Sequence, residues 1–403
     1  MQFNYEKGVH DPTIIAHQET FYLFSTDTNQ PQTSGIPIRK SNDLVNWEFI
    51  GTVFDGVPAE AKKWSGATGL WAPEIIKCQD KYRLYYSAST FGSTTSMIGL
   101  AEAVSPEGPW HDLGEVVKTS PELCSHNAID ANVVLDKNNN MWLVYGSFFG
   151  GIYIVPMNKE SGKLEDNTYG TIIAKRPRTV DTAIEGAFII YNAQYDFYYL
   201  FTSFDSLHDS YNIRVSRSKH INGPYIDMLG NNMIQDEYPE KVGVKILGSY
   251  QFADEESIFA PGHNSVLTVG NNQYLVHHAR LKPFSDEIIL NIRKLFWLSN
   301  GWPVVSIENY DGTDEKLELK IQDLVGTWQI LELNYESEII RSTNKYISEK
   351  DLIQVNQTEF KLGEKIFKVY CQVGNDKPLM LSGLDEQGKA FFAKKLLRKR
   401  SSK

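Results

Sequence analysis

Five times along the chain a short run of aromatic and aliphatic residues recurs, usually closed by Ser. The copies are Phe21-Tyr22-Leu23-Phe24-Ser25, Tyr82-Arg83-Leu84-Tyr85-Tyr86-Ser87, Met141-Trp142-Leu143-Val144-Tyr145-Gly146-Ser147, Tyr198-Tyr199-Leu200-Phe201-Thr202-Ser203 and Gln273-Tyr274-Leu275-Val276-His277-His278. Measured between the leucines, the spacings are 61, 59, 57 and 75 residues. Each copy starts 9 to 13 residues after the start of a second motif, in which polar or turn residues lead into aliphatics. These are His10-Asp11-Pro12-Thr13-Ile14-Ile15, Pro73-Glu74-Ile75-Ile76, Asp130-Ala131-Asn132-Val133-Val134-Leu135, Glu185-Gly186-Ala187-Phe188-Ile189-Ile190 and Gly262-His263-Asn264-Ser265-Val266-Leu267. Turn signals such as Asp136-Lys137-Asn138-Asn139-Asn140, Asn192-Ala193 and Gly270-Asn271-Asn272 separate several pairs, so each unit reads as a hairpin of two apolar strands followed by further short strands.

Five strand-rich units of ~60 residues predict an all-β chain built on a five-bladed β-propeller. The first strand of each blade runs beside the central axis. The polar residues opening the first motifs would therefore converge there, gathering Asp11, Asp130, Glu185 and His263; taken one at a time, each is equally well a turn cap. The repeat ends near Asn300-Gly301-Trp302-Pro303. We expect the propeller to occupy 1–310 and a small antiparallel, barrel-like β domain to occupy 311–403, either binding polymer or bracing the propeller. The cationic end (Lys394, Lys395, Arg398, Lys399, Arg400, Lys403) reads as a solvated, frayed terminus.

Composition removes several function classes. A net charge of −10 among 403 residues argues against nucleic-acid binding, which rests on neutralising phosphates. No apolar run approaches the ~18–20 residues that span a bilayer, so no membrane partner is expected. Three scattered cysteines (Cys78, Cys124, Cys371) are too few for a disulfide framework or a zinc site. The N-terminus has neither a cationic nor an apolar leader region, so the chain as written is expected in the cytoplasm, or outside the cell if a leader was removed. Aromatic residues make up 12% of the chain, a density suited to strands or to a sugar-binding surface.

Carboxylates in a polar pocket beside aromatic rings supply what glycosidic hydrolysis needs: a protonated acid for the leaving oxygen and an ionised base for water. A third carboxylate near the acid would hold its pKa up. Carboxylates alone could equally hold a cation, although no D-x-D calcium loop is present. Nucleophile-elbow, P-loop and H-E-x-x-H motifs are absent. His277-His278 is a poor metal pair, because adjacent strand residues face opposite ways.

Val9-His10-Asp11-Pro12-Thr13, Leu70-Trp71-Ala72-Pro73-Glu74, Asn127-Ala128-Ile129-Asp130-Ala131-Asn132, Ile184-Glu185-Gly186-Ala187-Phe188 and Pro261-Gly262-His263-Asn264-Ser265 fall in an order that resembles glycoside hydrolase family 43, and its endo-α-1,5-L-arabinanase branch most. The resemblance implies an inverting hydrolase acting on arabinan or arabino-oligosaccharides. It implies Asp11 as general base, Glu185 as general acid and Asp130 as the residue that orients the acid and tunes its pKa. His263 matches a histidine beside a largely water-coordinated calcium ion. Trp71 and Phe91 match rings that pack on arabinose, and His10, Asn132 and Ser147 match polar positions of that subsite; from the residues alone, Trp71 is as readily a core residue. The rivals are an exo-acting α-L-arabinofuranosidase or β-xylosidase on the same fold, or a non-catalytic carbohydrate-binding propeller.

Overall fold

The computed structural model describes residues 6–397 except 30–33, 236–239, 254, 283–284, 314–316, 337–338 and 373–376. Five antiparallel sheets follow one another along the chain, and in four of them the strands lie side by side in chain order. Blade one holds Thr13–His17, Thr20–Phe24, Pro37–Ser41 and Glu48–Thr52; blade two holds Trp71–Cys78, Lys81–Ala88, Ser96–Ala103 and His111–Thr119. Blade three begins with Asn132–Leu135, Met141–Tyr145 and Ile152–Asn158, the last pairing both Lys163–Leu164 and Thr171–Ala174. Blade four is Ile184–Asn192, Phe197–Phe204, Asn212–Ser218 and Val244–Leu247, and blade five is Phe259–Val269, Asn272–Arg280, Ile288–Trp297 and Pro303–Val305.

The recurring aromatic run is the second strand of each blade, and its composition follows from where that strand sits. Successive residues point to opposite faces, and each blade is sandwiched between two others, so both faces must be apolar. In blade two, Tyr82, Leu84 and Tyr86 pack with Tyr22, Phe24 and Ile38 of blade one. Tyr85 packs the other way, with Leu143 and Tyr145 of blade three. Blade four behaves alike: Tyr198 and Leu200 face blade three, while Tyr199 and Phe201 face blade five. Tyr274 and Val276 of blade five meet Leu23 of blade one. Five apolar seams thus close the ring. The N-terminal segment fastens it, since Gly8 N donates to Ile288 O (2.8 Å) and Leu290 N to Glu6 O (2.9 Å). Asp136–Asn140 is a hairpin turn: Asp136 N donates to Asn140 O (2.9 Å), and Asp136 Oδ1 accepts from the N–H groups of Asn138 and Asn140.

Beyond blade five, a seven-stranded antiparallel sheet runs in the order Thr343–Ile347, Gly326–Glu332, Ala390–Lys395, Met380–Leu384, Lys365–Tyr370, Glu359–Leu362 and Leu352–Gln354. Alternation along its strands serves two cores. Trp328, Phe360, Phe367 and Phe391 fill its own interior, whereas Leu331, Ile366, Tyr370, Met380 and Phe392 join the seam between blades four and five. The sheet is therefore packed firmly on the propeller. Lys394 departs from the expected frayed end: it lies in the last strand, 7% exposed, ion-paired to Glu255 and Glu308 of the propeller side. Lys395 closes the same strand; Arg398, Lys399, Arg400 and Lys403 lie outside the described residues.

A seam side chain should matter far more than an outer one. Leu143→Ala, fully buried between blades two and three, is expected to cost about 2–5 kcal/mol of stability. Leu135→Ala, 42% exposed, should change it by less than about 0.5 kcal/mol. Denaturant unfolding of both variants measures the contrast.

Candidate active site

In or just before each inner strand the repeated motif carries a residue in the left-handed backbone region. Asp11 (φ 50°), Ala72 (φ 36°), Asp130 (φ 59°), Gly186 (φ 58°) and His263 (φ 48°) occupy the same place in blades one to five. Non-glycine residues rarely adopt this conformation, and where they do the surrounding structure enforces it. Glu185 does not share that position; it stands one residue earlier, beside a bulge that shifts the register between Glu185 and Phe188. Gly186 is needed because it faces His263, whose ring atoms would lie 3.0–3.1 Å from an added Cβ.

Asp11, Asp130, Glu185, His263 and His10 come together as expected. His263 Nδ1 lies 3.0 Å from Asp11 Oδ1 and 4.0 Å from Asp130 Oδ2. Asp11 Oδ2 also meets His10 Nδ1 (2.7 Å) and accepts from Thr26 Oγ1 (2.6 Å). Its backbone N–H donates to His278 Nδ1 (3.2 Å), so the His278 proton resides on Nε2. Asp130 Oδ2 accepts from Gly186 N (3.1 Å), the residue after Glu185, and Asp130 N donates to Ser87 Oγ (3.0 Å). Glu185 Oε1 accepts from Tyr211 Oη (2.8 Å), and the Tyr211 ring is packed against the backbone of Gly262, where an added Cβ would overlap it.

The electrostatics separate the carboxyls. Burial pushes Asp11 up, but the charges of His10 and His263 outweigh it and hold Asp11 well below the usual carboxylate range. Burial and the Asp130 charge push Glu185 up to about 8, against the pull of His263 and Tyr211. Asp130, raised by burial and by Asp11 against the pull of His263, is pushed up to about 6. Burial lowers His263, but Asp11 and Asp130 raise it to about 9. Near neutral pH the pocket therefore holds an ionised Asp11, a protonated Glu185 and an imidazolium between Asp11 and Asp130.

Not every expected subsite residue faces the pocket. Asn132 is 2% exposed, and its side chain is spent between blades: Nδ2 donates to Glu74 Oε1 (2.7 Å) and Oδ1 accepts from Ile189 N (2.9 Å). It is corrected from a sugar-lining residue to an interblade tie. The Ser147 hydroxyl, equally buried, donates to Asn127 Oδ1 (3.0 Å). Trp71, half-buried, opens the inner strand of blade two, and Phe91 is 88% exposed in the turn after that blade's second strand. Glu74, Thr26, Tyr211 and His278 were not among the expected site residues. Glu74 could have been suspected from its place in the repeated first motif. It accepts from Thr13 Oγ1 (2.8 Å), Asn132 Nδ2 and Val133 N (3.3 Å), thereby joining blades one, two and three, and burial pushes it up to about 7.

As for a cation, His10, Asp11 and His278 form the one described cluster whose ligand atoms approach within 4.8 Å. Its nitrogen-rich set does not suit calcium, which takes oxygen ligands, and the two histidine rings are stacked at 4.0 Å. Next to His263, Asn264 and Ser265 carry buried polar side-chain atoms with no protein partner among the described residues. That arrangement fits a hydrated ion better. His277 lies apart, its Nδ1 at His278 O and its Nε2 accepting from Arg293 Nε (3.1 Å).

The pattern described as Glycosyl hydrolases family 43 matches residues 5–303. The chain is 33% identical over 368 residues to an extracellular endo-α-(1→5)-L-arabinanase of Bacillus subtilis, with 81% of this chain and 76% of that protein covered. It is 33% identical over 322 residues to an extracellular exo-α-(1→5)-L-arabinofuranosidase of Cellvibrio japonicus, covering 75% and 88%. Its fold superposes on the crystal structure of an endo-1,5-α-L-arabinanase from Thermotoga petrophila with a TM-score of 0.84 and 27% identity, covering 98% and 99%. With this family match and these relatives, the five-bladed propeller is that of a glycoside hydrolase. The chain belongs to glycosyl hydrolase family 43.

Because Glu74 ties the strands that carry Asp11 and Asp130, Glu74→Ala is expected to lower stability by about 1–3 kcal/mol through its unpaired donors and to lower kcat. Glu74→Gln, which retains an acceptor, should recover most of both. Thermal melts and initial rates on one preparation check this.

Proposed function

We propose that the chain hydrolyses internal α-1,5-L-arabinofuranosidic bonds of arabinan or arabino-oligosaccharides with inversion at the anomeric carbon. The observation that carries the reading is the gathering of Asp11, Asp130 and Glu185 around His263 in one buried pocket, where the surroundings displace Asp11 downward and Glu185 upward. Such a pair can divide base and acid work at one pH. Asp11, held ionised, takes a proton from water as it attacks the anomeric carbon. Glu185, held protonated, delivers its proton to the leaving oxygen. Asp130 acts through Glu185, both by its charge and by the bond from Gly186 N that sets the entry of the acid's strand. Trp71 and Phe91 would offer ring faces to the sugar, and His10 both steadies Asp11 and borders the same subsite.

A calcium ion, held near His263 through water with Asn264 and Ser265 beside it, would add positive charge opposite the carboxylates. The exo-acting reading draws support from the Cellvibrio relative, and the second class, a carbohydrate-binding propeller without catalysis, is disfavoured by the intact acid and base. The three cysteines are unpaired, so this fold stands without disulfides in a reducing or an oxidising compartment. No described helix is long and apolar enough to cross a membrane.

Debranched arabinan should yield a spread of oligosaccharides early in the reaction; release of monomer alone would favour the exo reading. Glu185→Gln should lower kcat by about 10²–10⁴-fold with an unchanged melting temperature. The protonated acid is lost as pH rises through about 8, so kcat should fall above that pH. Removing the Asp130 charge, one of the causes that raise Glu185, should move this limb to lower pH in Asp130→Asn. A limb that stays in place in that variant would detach it from Glu185.

A further inference from the structure

A cleft of about 1170 Å³ opens between blade four and the C-terminal sheet. Its size exceeds the ~300–1,000 Å³ of ordinary small-molecule sites, leaving room for a stretch of polymer. One wall comes from the propeller, including Ala183, Ser206 and Ser210. The other comes from the C-terminal sheet and its turns, with Asn334, Tyr335 and Gln387. Leu229 (58% exposed) and the half-buried Phe148 supply apolar surface among these polar groups.

The cleft is bordered by the chain segments that lead into Glu185 and into its partner Tyr211. Ala183 stands two residues before Glu185 in the chain, and Ser210 immediately precedes Tyr211, whose hydroxyl donates to Glu185 Oε1. A general acid must sit beside the leaving oxygen, so the part of the chain that departs extends from the pocket on the acid's side. We propose that this cleft binds the leaving-group portion of an arabinan chain, the portion bearing the reducing end, and that the C-terminal sheet serves as its second wall. This assignment rests on the arabinan reading above.

The chemistry of the lining favours a neutral polyol over an ion. Arg176 is committed to Asp205 Oδ1 (2.6 Å) and Ala183 O (2.9 Å). Arg214, behind it, is committed to Val242 O (2.9 Å) and Asn212 Oδ1 (3.0 Å). Lys389 is committed to Glu332 outside the lining (3.2 Å), and the remaining charges, Lys241 with Asp181, Glu240 and Glu336, are of both signs, so no cluster of cations is left to draw an anion. Mixed donors and acceptors with interspersed apolar faces suit hydroxyls and ring faces of sugars. The wall is rigid, because the sheet behind it shares a continuous core with blades four and five.

The test compares polymer with a short substrate in the full chain, using wild type, Gln387→Trp and Leu229→Ala. Gln387 is exposed on the turn where Gly388 N donates to Asp385 O, so a tryptophan there narrows the cleft without entering a core. The expected result is a fall of about fivefold in kcat/KM on debranched arabinan for Gln387→Trp, and a smaller fall for Leu229→Ala. Hydrolysis of arabinotriose should stay within about twofold of wild type in both. Unchanged polymer rates in both variants would overturn the cleft assignment, and so would equal losses on polymer and trisaccharide. A wild type that cleaves neither substrate would overturn the arabinan reading itself, and the cleft assignment with it.

Discussion

The site depends on His263 standing between Asp11 and Asp130. Three carboxyls gathered in a buried pocket repel one another, and in a medium of effective dielectric ~20 two unit charges 4 Å apart interact by on the order of 4 kcal/mol. An imidazolium 3.0 Å from one carboxylate and 4.0 Å from the next offsets enough of that repulsion for Asp11 to remain ionised. Glu185, left with burial and the Asp130 charge, takes the opposite course and keeps its proton. His10 and His263 together thus set similar side chains apart, one held ionised and one held protonated.

The backbone that achieves this is unusual at five equivalent points. A left-handed residue in or just before every inner strand turns the chain at the channel and helps deliver side chains from the blades to one place. Such conformations cost of order 1–3 kcal/mol each for residues other than glycine. The apolar seams on both sides of every second strand outweigh that cost, and the polar ties through Glu74 and Asn132 fix neighbouring inner strands against each other. Stability stored in the outer structure is in this sense what holds the reactive geometry.

Much of the fold was legible because the physics of the propeller is repetitive. A second strand pressed between two blades must be apolar on both faces, and Tyr82 to Tyr86 or Tyr198 to Phe201 show this without alternation. The converging Asp11, Asp130 and His263 were readable for the same reason. Glu185 was found, yet its offset of one residue from the left-handed position depends on a bulge, and nothing in a residue list marks a bulge beyond Gly186. Asn132 was expected at the sugar from the resemblance alone, and a matched position does not tell which way a side chain turns. Glu74 was hidden by the same ambiguity, and Lys394 looked like part of a loose tail because its partners, Glu255 and Glu308, lie 139 and 86 residues away.

The C-terminal sheet gains a meaning from its packing. Adjacent residues such as Phe391 and Phe392 serve different cores, so the sheet is fixed to blades four and five, the former of which carries Glu185. The proposed reaction is direct displacement by water activated at Asp11. Proton NMR of the first product formed from an α-1,5-linked arabino-oligosaccharide, recorded before mutarotation, tests this most directly. The account predicts that the new anomeric centre appears first as the β form; initial appearance of the α form would contradict it.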